Sequence, residues 1–92
     1  MREHRVKTVN PHFQNVWEGS KTFELRKDDR NYCVGDILLL KEYYPESDSY
    51  SCRSIRCKVS HTLRHEDFFA VTEGWVILSI IITERLGCTK IY

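Results

Sequence analysis

Apolar and polar positions in this chain alternate more often than they follow a helical period, so strands dominate the prediction. Residues 4–9 read as a short strand, with Val6 apolar between His4 and Thr8. One helix interrupts the pattern. Asn10 offers a side-chain oxygen as N-cap, Pro11 suits a first helical turn, and Phe13, Val16 and Trp17 fall on one helical face. Gly19 can take the left-handed conformation that stops it. Residues 22–26 return to period two, with Phe23 and Leu25 on one face and Glu24 with Arg26 on the other. Lys27 to Asn31 is wholly polar and reads as a loop. Val34-Gly35-Asp36 is a turn that launches a strand from Ile37 to about Tyr44, and Pro45 to Ser51 reads as an exposed loop. Ile55, Cys57, Val59 and His61 alternate with polar residues as a half-buried strand. Residues 64–73 are irregular or a short helical turn carrying Phe68 and Phe69. Trp75 to about Ile82 is apolar on both faces, as suits the middle of a folded-over sheet.

The order strand, helix, then four strands predicts an α+β, mainly β fold: a compact five-stranded barrel-like sheet with one or two short helices. Ninety-two residues sustain one hydrophobic core, so residues 1–92 read as a single domain. Four Phe, five Tyr and two Trp help so small a fold bury enough apolar area to offset its ordering entropy.

Composition then narrows the function. A formal net charge of +1, with both signs interspersed, lacks the basic excess by which proteins hold long duplexes. A nucleic-acid partner would have to be read a few nucleotides at a time, in a pocket. The N-terminal segment has no apolar signal-peptide core, and Trp75–Ile82 is too short to cross a bilayer. A soluble, cytoplasmic, monomeric protein is expected, with Cys33, Cys52, Cys57 and Cys88 reduced.

The candidate chemistry lies in Gly19-Ser-Lys-Thr-Phe-Glu-Leu-Arg-Lys-Asp-Asp-Arg30, at and beyond the junction of the helix and the second strand. Lys21, Arg26 and Arg30 supply charge-assisted donors for phosphate or a base edge. Glu24 and Asp29 can accept from a base amino group or orient the cations. The same residues also fit a plainer reading, in which Glu24 and Arg26 form a surface ion pair and Lys27–Arg30 a solvated loop.

That segment resembles the ASCH domain family, whose hallmark Gly-x-Lys-x-x-Glu-x-Arg is met here by Gly19, Lys21, Glu24 and Arg26. The chain is most similar to a short bacterial and phage branch. It shares with it His4 and Lys7, the run Lys21–Arg30, Val34-Gly35-Asp36, Leu40-Lys-Glu-Tyr43 and Glu73-Gly-Trp-Val-Ile-Leu78, so the likeness spans residues 4 to about 80. Where the branch has Tyr-Thr-Gly-Arg before its fourth strand, this chain has Tyr50-Ser-Cys-Arg53. The resemblance implies a PUA-like five-stranded β-barrel and an RNA-binding role. By position, Lys21, Glu24 and Arg26 would line the cleft, with Asp29 and Arg30 at its rim and Lys7 contributed from the first strand. Tyr43 and Tyr50 are candidate stacking surfaces for exposed bases, or packing at the barrel rim.

Some ASCH proteins resemble amidohydrolases of acetylated cytidine, in which a lysine acts with a threonine and a distant glutamate. Lys21 matches the lysine, but Glu24 stands at the threonine position, where a carboxylate favours the charged ammonium over a nucleophilic amine. Binding without turnover is the expectation. His61 and His65 have a zinc-like spacing with no cysteine pair to complete a site, and no glycine loop cradles a phosphate, so no metal or cofactor is expected. Cys33, beside basic residues, lacks a visible base and reads as a packed thiol. A small protein-binding regulator, using the 45–51 loop or the apolar last strand, is the third possibility.

Overall fold

The structure, a computed structural model, describes residues 2–87. Its elements run β1 (Glu3–Thr8), α1 (His12–Trp17), β2 (Phe23–Lys27), β3 (Ile37–Tyr44), β4 (Ser49–Leu63) and β5 (Trp75–Leu86). They form one five-stranded sheet in the order β1-β3-β4-β5-β2, curled into a half-barrel; β1 and β3 are parallel and every other pair antiparallel. This is the mainly β architecture with a short helix that the alternation implies.

Period two builds the core. Val6, Leu38, Leu40, Ile55, Cys57, Val59, Val76, Leu78 and Ile80 all point inward and are buried. The helix closes one end of this interior with Phe13 and Val16, both fully buried, while Trp17 packs against them from outside. The N-cap is Pro11 and not Asn10, because the helix starts one residue later, at His12; Asn10, just before the cap, still accepts from the Gln14 amide at 3.0 Å. At the other end Gly19, with φ of +87°, adopts the left-handed conformation expected of it.

Several boundaries differ from the sequence reading. The 45–51 loop shortens to a turn at 45–48, because Asp48 takes a φ of +47° and Ser49 already pairs with Tyr44. Tyr50 is therefore a strand residue, opposite Tyr43. A register shift between Val59 and His61 breaks the alternation in β4, so His61 is exposed instead of continuing the buried face. The 64–73 segment forms turns, leaving Phe68 and Phe69 largely exposed.

The cysteines meet expectation in part, and Cys33 is exposed where a packed thiol was expected. Cys52 is disulfide-bonded, whereas Cys33 and Cys57 are free thiols; Cys88 lies outside the described residues. Burial pushes the Cys57 thiol up to about 12, so it behaves as a small apolar side chain of the core. No helix among the described residues is long and apolar enough to cross a membrane.

Candidate functional site

The end strands β1 and β2 are not paired with each other, so the curl of the sheet leaves a seam between them. Its position follows from the chain after α1. The Lys21 amide donates to the Asn15 carbonyl at 3.0 Å and the Ser20 hydroxyl to the same oxygen at 3.1 Å, which folds the post-helix segment back onto the helix. Strand β2 then starts beside the end of β1, with the seam opening as a cleft of about 610 Å³. That volume lies in the range of roughly 300–1,000 Å³ common for small-ligand pockets.

The polar face of β2 turns inward, against the usual burial preference. Glu24 is only 3% exposed, whereas Phe23 and Leu25 are 47% and 55% exposed. A buried carboxylate survives when its oxygens are bonded. Lys21 Nζ donates to Glu24 Oε2 at 2.6 Å, and Arg26 donates to Oε1 through Nε at 3.1 Å and Nη2 at 2.9 Å. The same Nη2 reaches across the seam to the Lys7 carbonyl at 3.0 Å and the Thr8 hydroxyl at 2.9 Å. Arg26 thus ties β2 to β1 at one side of the cleft.

Lys7, Lys21, Glu24 and Arg26 all line this cleft. The ammonium at position 21 and the guanidinium at position 26 converge on one carboxylate and do not fan out into water. Glu24 spends both oxygens on these cations, so of the two roles open to it the structure has it fixing them. The donors are not all spent: Arg26 Nη1 has no bonded partner among the described residues, and Lys21 Nζ uses a single hydrogen bond there. Lys21 and Arg26 set two positive charges against the one carboxylate of this cluster.

The other sequence candidates lie outside the cleft. Arg30 donates to the Arg5 carbonyl at 3.0 Å, further along the seam, and Asp29 is exposed. Tyr43 and Tyr50 pack together at 5.2 Å on the outer surface, with Lys7 Nζ 4.5 Å above the Tyr43 ring and Lys41 Nζ 5.0 Å above Tyr50. Tyr43 also donates to Asp48, and that acceptor, with burial and nearby negative charge, raises its phenol above the ordinary value. Lys7 is the link between this pair and the cleft.

Residues not singled out from sequence complete the walls. Thr8 was visible as an inward position two beyond Val6, but its bond to Arg26 depends on the seam. His12 and Asn15 come from the polar face of α1, and Phe23 presents its ring at the mouth with Lys21 Nζ 5.3 Å above it.

A second buried carboxylate was also missed. Glu42 is 1% exposed, on the inward face of β3 in period with Leu38 and Leu40. It accepts from Arg53 Nε at 3.0 Å and Nη2 at 2.9 Å, Asn10 Nδ2 at 2.6 Å and the Ser51 hydroxyl at 2.7 Å. The Arg53 guanidinium lies 5.1 Å from the Phe13 ring and 4.7 Å from Trp17, pinning the helix to the sheet. Chiefly through the Arg53 hydrogen bonds, the Glu42 carboxyl is lowered to about 2. A third pair joins His4 Nε2 to Asp36 at 2.9 Å beneath Tyr32. Outside these networks, an apolar hollow of about 480 Å³ between Leu25, Leu63, Phe68, Val71 and Trp75 has no charged lining residue. Among the described residues, no three His, Cys, Asp or Glu side chains gather as metal ligands.

With this geometry in hand, comparison with known proteins places the chain. Residues 3–80 match the model of DUF3850, a domain of unknown function. The chain belongs to the DUF3850 family. The matched span includes both strands of the seam and every cleft residue named above. This DUF3850 domain is also similar to an uncharacterized 12.9 kDa protein in the GpA 3′ region of Escherichia phage P2. The two are 34% identical over 86 residues, covering 94% of this chain and 74% of the phage protein.

Proposed function

We propose that this DUF3850 domain binds single-stranded RNA or a nucleotide-like ligand in the seam cleft, as a PUA-like module of the ASCH type. The observation that carries the reading is the convergence of Lys21 and Arg26 on buried Glu24, with donors left over on residues that line the hollow. A carboxylate that orients two cations preorganises them, so a ligand phosphate meets donors already in place. The walls suit the rest of a nucleotide: Phe23 and Val9 are apolar, and His12, Asn15 and Ser20 are polar. The near-neutral chain fits recognition of a few nucleotides and not of a long duplex.

Turnover of an acetylated nucleoside is the weaker reading. A lysine held 2.6 Å from a carboxylate is placed as a hydrogen-bond donor, not as a nucleophile. The apolar hollow beside Trp75 is the feature that speaks for a protein partner, but it holds no directional polar group.

Fluorescence anisotropy with labelled short single-stranded RNAs tests the assignment. Charge-assisted bonds of this kind make the Lys21→Gln/Arg26→Gln variant at least about tenfold weaker than wild type. Equal binding by the two proteins rejects the cleft.

A further inference from the structure

Strand β2 is an end strand, and its main chain divides cleanly between its two edges. The Thr22 carbonyl accepts from the Ile80 amide at 3.1 Å, and the Asp28 amide donates to the Gly74 carbonyl at 2.8 Å. In an antiparallel ladder the bonded positions recur at every second residue. With Glu24 opposite Leu78 and Arg26 opposite Val76, the even-numbered residues of β2 therefore bond to β5. The amides and carbonyls of Phe23 and Leu25 turn the other way, towards the seam, and both residues line the cleft.

Across that seam the facing carbonyls of β1 are already engaged, Lys7 by Arg26 and Arg5 by Arg30. Those of β2 are not: no described residue bonds the Phe23 or Leu25 main chain on this edge. In an extended strand the carbonyl of one residue and the amide of the next but one stand side by side on the same edge. Phe23 C=O and Leu25 N–H thus offer an acceptor beside a donor, next to the Lys21–Glu24–Arg26 cluster.

We infer that this edge reads the Watson–Crick edge of one unpaired base while Lys21 and Arg26 hold the adjoining phosphate. The inference rests on the nucleotide reading above and adds the part of the ligand that is recognised. Every base presents a donor beside an acceptor on its Watson–Crick edge, which a free strand edge can pair and a duplex has already spent. An added protein strand fits less well. Arg26 bridges β2 to β1 where such a strand would lie.

The test compares RNA hexamers of uridine, 3-methyluridine and 5-methyluridine with the wild-type domain. The methylated pair are isomers of equal charge, and only the 3-methyl group blocks the Watson–Crick edge. The 3-methyl hexamer is expected to bind about tenfold more weakly than the other two, for the loss of paired hydrogen bonds in a desolvated cleft. Equal affinity for all three overturns the base-edge inference and leaves the phosphate cleft standing. Absence of binding by any of them overturns both. Leu25→Pro supplies a protein-side check, since it removes the open amide without touching the β5 ladder, and end strands tolerate proline. That variant is expected to lose the distinction between uridine and 3-methyluridine; retention of it contradicts the inference. The ligand comparison needs no variant, so a misfolded Leu25→Pro leaves it decisive.

Discussion

Glu24 and Glu42 are both buried carboxylates on inward strand positions, and each is held by an arginine at 2.9 Å. They differ in what surrounds them. Around Glu42, Arg53 Nη1 also has no bonded partner among the described residues, but the guanidinium bonds Gln14 Oε1 at 2.8 Å, is flanked by Phe13 and Trp17, and does not line the cleft. Around Glu24 the cations that keep unspent N–H groups belong to residues lining a cavity. Burial and ion pairing are common to both places and so do not mark a binding site. Surplus donors beside a concavity do. Glu42 is a staple between helix and sheet, and Glu24 is a platform.

The contrast breaks first at the staple. Glu42→Ala strands Arg53, Asn10 and Ser51, and loss of one partner from a buried ion pair costs about 3–5 kcal/mol. Urea unfolding should show a loss of that size, with RNA affinity per folded molecule unchanged. A milder form of the same test uses acid. The folded Glu42 carboxyl is depressed from 4.5 to about 2, so the unfolded chain binds the proton first as the pH falls. Its stabilisation is complete above about pH 4.5 and disappears towards pH 2, a change of about 3 kcal/mol. Asp28, lowered by its Arg64 hydrogen bond, adds to the loss in the same direction. So does Asp36: burial pushes its carboxyl up, but bonds from His4 and two amides outweigh that. Glu42→Gln should flatten the acid limb of the stability curve without abolishing it.

The platform gives smaller effects, and on binding. Phe23→Ala removes the ring at the cleft mouth, and stacking of one base is worth about 1–3 kcal/mol. Anisotropy titration should show that loss with little change in stability, since the ring is 47% exposed. Tyr50→Ala lies outside the cleft and should change RNA affinity by less than about 0.5 kcal/mol. A larger effect would extend the site over the outer tyrosine pair through Lys7.

The sequence carried these features unequally. The Val34–Asp36 turn and the strand from Ile37 to Tyr44 were legible because Gly35, at φ +95°, sits where a turn needs it, before an apolar run. In β2 the alternation was legible but its direction was not. Period two defines two faces without saying which is buried. Here that was decided by Lys21 returning from the helix and Arg26 reaching β1, both tertiary events. Glu42 was hidden for the same reason: its place in the inward register was visible, but a charge there reads as solvated until Arg53 is known to arrive from β4. The length of β4 was masked by its register shifts, and no spacing rule marked Cys52 for a disulfide.

The claim that Lys21 and Arg26 contact phosphate is tested most directly by the salt dependence of RNA binding. Each phosphate contact to a single strand adds about 0.7 to the slope of log affinity against log salt. Short single-stranded RNA should therefore show a slope shallower by about 1.4 with Lys21→Gln/Arg26→Gln than with wild type. Identical slopes would mean that these two cations meet no phosphate, and the cleft would not be the binding site.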